Sequence, residues 1–371
     1  MTRRWISFDN VFDGDKLHAN GCVEIVSGSI NELSTTNKTK AEHHISGLLT
    51  PGYIDLQVNG GGGVLLNTTP TQKGMQLIAD AHRTFGTTAV MPTVITDHPD
   101  VLDRAADAAI KARSYRGIVG LHIEGPHISV ERRGIHAVEY IRPLDTRTLN
   151  VVERLRAEHV VVMITLAPEA ATPEQVAQLT AMQAIVSIGH TNSTAKKINE
   201  TIAAGASCAT HLFNAMSPMT GRAPGAVGAV INSDCYAGII CDGHHVSDEM
   251  IGLAIRARPK SDRVFVVSDA MMTVGGPDQF DLYGKTIKLN NGRLINVEGS
   301  LAGAHITQAQ GVKRLVENAG INLVDALKMA TAVPASCIGV PELGKLLGQS
   351  VDDAIVLGKD LTLKASLDTI L

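Results

Sequence analysis

The sequence predicts an α/β protein: a (β/α)8 barrel of the TIM-like kind, with a small β-sandwich domain formed by the N- and C-terminal segments. Three observations carry the prediction. Hydrophobic residues make up 44% of the 371 residues but aromatics only 3%, so the core must be built from Ala, Val, Ile and Leu, as in a buried parallel sheet. From Pro51 to about Ala335, short apolar runs alternate with helical stretches, the pattern of successive βα units. Both chain ends instead show short alternating runs broken by Asp, Asn and Gly, which read as antiparallel strands and turns.

The elements follow in order. Trp5–Phe8, Gly21–Val26 and Glu42–Leu49 are the first strand-like runs. Barrel strands are predicted at Tyr53–Val58, Ala89–Ile95, Ile118–Glu124, Val160–Ala167, Ala184–Gly189, Ala209–Leu212, Gly238–Cys241 and Val264–Ser268. Helices are predicted at Thr71–Phe85, Val101–Ser114, Pro173–Met182, Thr194–Ala203 and Asp248–Ala257. Eight strands over roughly 285 residues match a barrel of about 250 residues with insertions. A doubly wound open sheet would place G-x-G-x-x-G after its first strand; the run Gly60–Gly63 lacks that spacing. Near the C-terminus Ser350–Leu357 reads as a strand, and Asp360 turns the chain into Leu361–Leu363. The chain thus divides into residues 51–335, the barrel, and residues 1–50 with 336–371, the small β-domain.

Charge and composition narrow the partners. The net charge is −4 with no basic block, which argues against nucleic acid. The longest apolar stretch, Val160–Ala167, is far shorter than the ~20 residues of a membrane helix, and no signal-peptide apolar region opens the chain. Five cysteines without a C-x-x-C pair make a disulfide framework or a cysteine metal site unexpected. A soluble cytoplasmic protein acting on a small molecule is the expectation.

Barrel enzymes assemble their sites at the C-terminal ends of the strands, and polar residues cluster there. Asp55, Gln57 and Asn59 follow the first strand, Glu124 the third, His190 the fifth, His211 the sixth, Asp242 with His244 and His245 the seventh, and Asp269 the eighth. His18, His43, His44, His82, His98, His159 and His305 fall elsewhere and read as ordinary structural or surface histidines. Glu124, His190 and His211 supply one carboxylate and two imidazoles, a catalytic zinc set with a position left for water. Zinc held in this way lowers the pKa of such a water to about 7. Asp269, a lone carboxylate ending the apolar run Val266-Val267-Ser268, suits a general base that takes the water's proton and returns it to a leaving amine.

Several segments, in chain order, resemble those of N-acetylglucosamine-6-phosphate deacetylases of the amidohydrolase superfamily: Pro51-Gly52-Tyr53-Ile54-Asp55, Gly120-Leu121-His122-Ile123-Glu124-Gly125-Pro126-His127, Gly189-His190-Thr191, Thr210-His211-Leu212-Phe213-Asn214-Ala215-Met216, Asp242-Gly243-His244-His245, Ser268-Asp269-Ala270 and Gly299-Ser300-Leu301-Ala302-Gly303. The first block marks only the superfamily; the second and fourth are the specific ones. The resemblance implies removal of acetate from N-acetylglucosamine 6-phosphate. It further implies that His136 bonds the acetamide carbonyl and stabilises the oxyanion, beside Ile135, and that Asn214 and the backbone N–H of Ala215 contact the sugar phosphate. It implies phosphate contacts from Arg222 and His245, Arg offering a planar fork for two phosphate oxygens. Leu301, Ala302 and Gly303 would touch the sugar or its acetyl group, and a phosphate loop from a neighbouring subunit makes a homodimer the expectation.

One departure is informative. Many amidohydrolases carry His-x-His after the first strand to hold a second metal; here Gln57 and Asn59 stand there, and Ala167-Pro168-Glu169 ends the fourth strand, where binuclear relatives use a carboxylated Lys. One divalent ion per subunit follows, zinc being expected. His122 and His127 keep open roles, and His245 rather than His244 is chosen from the Asp-Gly-x-His pattern. The alternatives are the same chemistry on N-acetylgalactosamine 6-phosphate, which differs at C4, then a cyclic-amide hydrolase or deaminase, and a non-catalytic sugar-phosphate-binding barrel.

Overall fold

The computed structural model describes residues 3–36, 41–296 and 299–371. Its centre is a barrel of eight parallel strands, Tyr53–Val58, Thr87–Ile95, Leu121–Glu124, Val162–Leu166, Ile185–Ile188, Cys208–Ala209, Tyr236–Ile239 and Val264–Val266, each paired with the next. The ring closes just beyond the last strand, where Asp269 N–H donates to the Gln57 carbonyl (3.0 Å) and Asn59 N–H to the Ala270 carbonyl (2.9 Å). Closure therefore sets the ends of the first and eighth strands side by side. The strands are buried along almost their whole length, as expected of a parallel sheet covered by helices.

The helices between strands begin where capping chemistry places them. Thr71, Asp145, Thr172, Thr194 and Ser247 each accept a backbone N–H from the first turn of their helix, satisfying a donor that the helix itself cannot pair. Their apolar faces pack on the strands: Met75, Ile78 and Ala79 from the first helix, Leu102, Ala105 and Ala109 from the second, all in one core with Val90, Ile123 and Ile164. Helix Thr146–Ala157 lies on this layer too, as does Gly225–Ile231, inside a stretch that reads in sequence as loop.

The chain ends share a seven-stranded sheet, in which Arg3–Phe12, Leu17–Ala19, Cys22–Val26, Ser29–Ser34 and His43–Pro51 join Ala354–Leu357 and Leu363–Ser366. It is mixed, not purely antiparallel: Arg3–Phe12 runs parallel to His43–Pro51, with Phe8 opposite Ile45. The intervening hairpin takes the other edge of the first strand, so the returning chain meets it in the same direction. Residues 350–353 depart from the predicted strand. The Ser350 hydroxyl accepts the Asp352 N–H and starts a 3₁₀ turn, leaving only Ala354–Leu357 extended. Between the eighth barrel strand and the helix Gln308–Glu317 lies an insertion that the sequence did not announce, a four-stranded antiparallel sheet of Gln279–Leu282, Lys285–Asn290, Arg293–Ile295 and Leu301–Ala304. Its inner face, with Phe280, Leu282, Ile287 and Leu294, packs on Leu65, Ile95 and Met271. The five cysteines are all buried. Among the described residues no helix is long and apolar enough to cross a membrane.

Candidate active site

Three strand ends converge on one point. Glu124, His190 and His211 offer ligand atoms all within 4.8 Å of one another, and all three residues are buried. Glu124 Oε1 lies 3.2 Å from His190 Nε2 and 3.0 Å from His211 Nε2, and the two imidazole nitrogens are 3.0 Å apart. His190 Nδ1 donates to the Arg132 carbonyl (2.8 Å), so the Nε2 lone pair is left facing the other two groups, as metal-binding histidines require. Burial raises the Glu124 carboxyl, but the bonds to His190 and His211 outweigh it and hold the group well below its usual range. A buried carboxylate between two imidazoles fits one divalent cation of the zinc type.

The backbone is strained where these side chains leave it. His190, His211 and Asp269 have φ of +46°, +31° and +51°, a left-handed conformation that non-glycine residues rarely adopt. Such strain gathers at functional sites, where the surrounding fold over-determines it.

Asp269 is held by the closure of the barrel. Asn59 Nδ2 donates to its Oδ1 at 2.6 Å and to its carbonyl at 3.3 Å, and Gln57 Nε2 donates to the same Oδ1 at 3.2 Å and to Glu124 Oε1 at 3.0 Å. The first-strand amides therefore bridge the metal-ligand carboxylate and the eighth-strand aspartate. Burial, with the Glu124 charge beside it, pushes Asp269 up to about 6. Asp55 lies beneath, accepting from the N–H groups of Gln57 and Ser268, which fixes both strand ends.

His136 faces the triad from the loop after the third strand, its ring 4.4 Å from that of His190. The Thr96 backbone N–H, which can only donate, points at its Nδ1 (3.4 Å), and the Thr96 hydroxyl is 2.7 Å away. Nδ1 is thus the acceptor, and the ring carries its proton on Nε2. Burial and the neighbouring His190 push its pKa down to about 3, so it stays a neutral donor.

These groups open into a cleft of about 180 Å³, whose wall also includes Ile135, Asn214, Ala215, His245, Leu301 and Gly303. His245 Nδ1 donates to Asp242 Oδ2 (2.6 Å), while Asp242 Oδ1 accepts the backbone N–H groups of His244 and His245 (2.8 Å each). Burial raises Asp242, but the His245 bond prevails and holds it at about 2. Gly303 (φ +64°) sits where a Cβ would come 2.7 Å from Met271 and 3.1 Å from the Asp269 carbonyl, so only bare backbone closes this wall.

Two of the residues expected at the site are placed elsewhere. Ala302 turns its methyl into the core beneath the inserted sheet. Arg222 is exposed and is not on the cleft wall. His122 and His127 are structural. His122 Nδ1 meets the Leu56 carbonyl and its Nε2 the Thr165 hydroxyl, whereas His127 bridges the Arg142 carbonyl and the Thr148 hydroxyl. His244 faces Arg293 rather than the cleft. Four contributors went unassigned in the sequence: Thr96, Asp242, and the amides of Gln57 and Asn59 as donors rather than as mere non-ligands. Strand-end position had singled out Gln57, Asn59 and Asp242, the last also through the Asp-Gly-x-His spacing, whereas nothing pointed to Thr96.

Fold and donor set together define a metal-dependent hydrolase built on a (β/α)8 barrel. The amidohydrolase family model matches residues 48–368, and the chain belongs to that family. It is 38% identical over 366 residues, 94% of this chain and 92% of the other, to an N-acetylgalactosamine-6-phosphate deacetylase of Shewanella sp. (strain ANA-3). It is 36% identical over 304 residues, 79% of this chain and 78% of the other, to an N-acetylglucosamine-6-phosphate deacetylase of Haemophilus influenzae. Among solved structures, the N-acetylglucosamine-6-phosphate deacetylase from Pasteurella multocida superposes with a TM-score of 0.89 at 33% identity, covering 97% of each chain. The Mycobacterium smegmatis enzyme, in a variant complexed with N-acetyl-D-glucosamine 6-phosphate, superposes with a TM-score of 0.90 at 27% identity, covering 98% of this chain and 97% of that one.

Proposed function

We propose that this protein hydrolyses the acetamide of N-acetylglucosamine 6-phosphate, giving glucosamine 6-phosphate and acetate. The observation that carries the reading is the convergence of Glu124, His190 and His211 on one point in a cleft shared with Asp269 and His136. Glu124, His190 and His211 would hold one ion, Zn²⁺ by the donor set; when bound it supplies Lewis acidity to the amide carbonyl and acidity to the attacking water.

The chain's own groups do the rest. Asp269 takes the water's proton as oxygen adds to the acetamide carbon. Both amide donors act on its Oδ1, which leaves Oδ2 for proton transfer. His136 Nε2–H donates to the developing oxyanion. Asp269 then returns the proton to nitrogen, the C–N bond breaks, and the amine leaves. Gln57 and Asn59 spend their donors on carboxylates and carry no charge to hold a second cation, which supports one ion per subunit.

His245, its ring oriented by Asp242, and the Asn214–Ala215 turn would hold the sugar phosphate. Ile135, Leu301 and Gly303 would bound the sugar and acetyl group, with Ala302 contributing backbone alone. Arg222, exposed and off the wall of its own cleft, fits a homodimer in which each copy lends this residue to its neighbour's phosphate. A cytoplasmic location suits an enzyme of amino-sugar catabolism, and residues 1–50 with 336–371 serve as the small β-domain flanking the barrel.

N-acetylgalactosamine 6-phosphate is the second reading, favoured by the 38% identity to the Shewanella enzyme. Acetate release from the gluco and galacto 6-phosphates, side by side with and without chelator, tests both. The gluco compound should be cleaved with the higher kcat/KM and chelator should abolish turnover; preference for the galacto compound would move the assignment to the second reading, and release of acetate from neither would refute it.

A further inference from the structure

His245 lines the cleft together with Asn214 and Ala215, where the sugar phosphate is proposed to sit, yet its neutral ring offers a phosphate the wrong atom. Its Nδ1 lies 2.6 Å from Asp242 Oδ2. Asp242, held at about 2 chiefly by that bond against the opposing effect of burial, is ionised and can only accept, so Nδ1 carries the ring proton. In the neutral imidazole Nε2 is then a bare lone pair. This nitrogen has no hydrogen-bond partner among the described residues and is not one of the buried unpaired atoms, so it is open to the cleft. A sugar phosphate near neutral pH is mostly a dianion, its second pKa being about 6, and offers acceptors alone. Lone pair and acceptor repel; the contact forms only when Nε2 also carries a proton.

We propose that His245 takes up a proton on Nε2 as the sugar phosphate binds, so that an imidazolium bridges the phosphate and Asp242. This deepens the deacetylase reading and rests on it. One proton enters from solvent with each dianion and returns to solvent when the phosphate leaves; no covalent bond of the substrate changes in this step. Asp242 is the positioning residue. Its Oδ1 accepts the backbone N–H groups of His244 and His245 at 2.8 Å each, and the Asp242 and His245 side chains are only 6% and 8% exposed, so the carboxylate cannot swing away from the ring. The other charged groups around His245 permit the second proton. Asp269, on the same cleft wall, interacts with the His245 charge and favours it. Arg314, which packs on Gly243, is neutralised by Asp248 through bonds of 2.7 and 2.8 Å. His244 turns to Arg293, and Glu124 stands between His190 and His211.

Calorimetry counts the proton. N-acetylglucosamine 6-phosphate is titrated into the zinc-loaded Asp269→Asn protein, which should bind without turnover, at about pH 8 in buffers of different ionisation enthalpy; the slope of heat against that enthalpy is the number of protons taken up. Adding His245→Gln, which keeps a neutral donor, subtracts protons taken up elsewhere in the cleft. The Asp269→Asn protein should take up about one proton more per site than this double variant. In Asp242→Asn, added to the same background, Oδ1 can keep the two backbone bonds while Nδ2 donates to His245 Nδ1, so the neutral ring already carries Nε2–H. The extra proton should vanish there too, and affinity should fall about 5- to 30-fold as a charge-assisted bond gives way to a neutral one. A merely structural role for Asp242 would leave the proton count unmoved. The phosphorus resonance of the bound ligand should keep the dianion position. Equal uptake with and without His245, or a monoanion resonance placing the proton on the phosphate, would overturn the proposal. Absence of any binding to the Asp269→Asn protein would defeat the deacetylase reading instead.

Discussion

Replacing Asp269 with Asn separates the chemical part of the account from the structural one. The substitution is isosteric, and an Asn Oδ1 can accept the same bonds that Asn59 Nδ2 and Gln57 Nε2 now give at 2.6 and 3.2 Å. The side chain should therefore stay in place, and the Glu124–His190–His211 triad should keep its ion. What is lost is the proton acceptor, and kcat should fall by about 10²- to 10⁴-fold, the usual contribution of a positioned general base. A second effect has the opposite sign. Burial and the Glu124 charge push the Asp269 carboxyl up to about 6, so the folded, metal-free chain binds this proton more tightly than the unfolded chain does. Stability from such a group is complete below the unfolded value near 3.8 and is lost as pH rises through 6. Asn carries no such penalty, so at pH 7.5 the chelated variant should be more stable than chelated wild type by up to ~3 kcal/mol. Acetate release, metal content and denaturant unfolding of the chelated proteins measure all three quantities. Turnover within tenfold of wild type, at equal metal content, would refute Asp269 as the base.

Two further outcomes follow from the geometry. His136→Ala removes a neutral donor aimed at the oxyanion and should lower kcat by about 10²- to 10³-fold with metal content unchanged; an effect on KM alone would contradict the role. His82, bonded to the Gly60 carbonyl, and His127 are each pushed down by burial to about 4. A depressed histidine gives stability that is complete above the unfolded value near 6.5 and is lost as pH falls toward the folded one. By pH 5 the two should together cost the fold about 4 kcal/mol relative to pH 7, and His82→Asn or His127→Asn should each flatten the slope of unfolding free energy against pH by about one proton. Parallel slopes in wild type and variants would contradict this.

Much of the architecture was legible because βα alternation is a strong pattern. Tyr53–Val58 and Ile185–Ile188 are short runs rich in β-branched and apolar residues, and fixing the ends of such runs placed Glu124, His190, His211 and Asp269 on one face. The inserted sheet was not legible, since its strands are 3 to 6 residues long and sit where a barrel leads one to expect a plain loop before a helix. The parallel pairing of Arg3–Phe12 with His43–Pro51 was hidden for another reason: alternation reports burial, not strand direction. At the site, Gln57 and Asn59 were read by what they cannot ligate, and their donation to Asp269 exists only because barrel closure brings residues more than 200 positions apart to within 3.3 Å. Arg222 illustrates the converse, for a phosphate-suited side chain in a Gly- and Pro-rich loop lies off the cleft of its own chain.

The central claim is that one ion held by Glu124, His190 and His211 makes this barrel a deacetylase. It is tested most directly by stripping the protein with chelator and adding Zn²⁺ back stepwise while acetate release from N-acetylglucosamine 6-phosphate is followed. Activity should be absent at the start, rise in proportion to added zinc and level off at one ion per chain. Full activity in the stripped protein, or a rise that continues to two ions per chain, would contradict it.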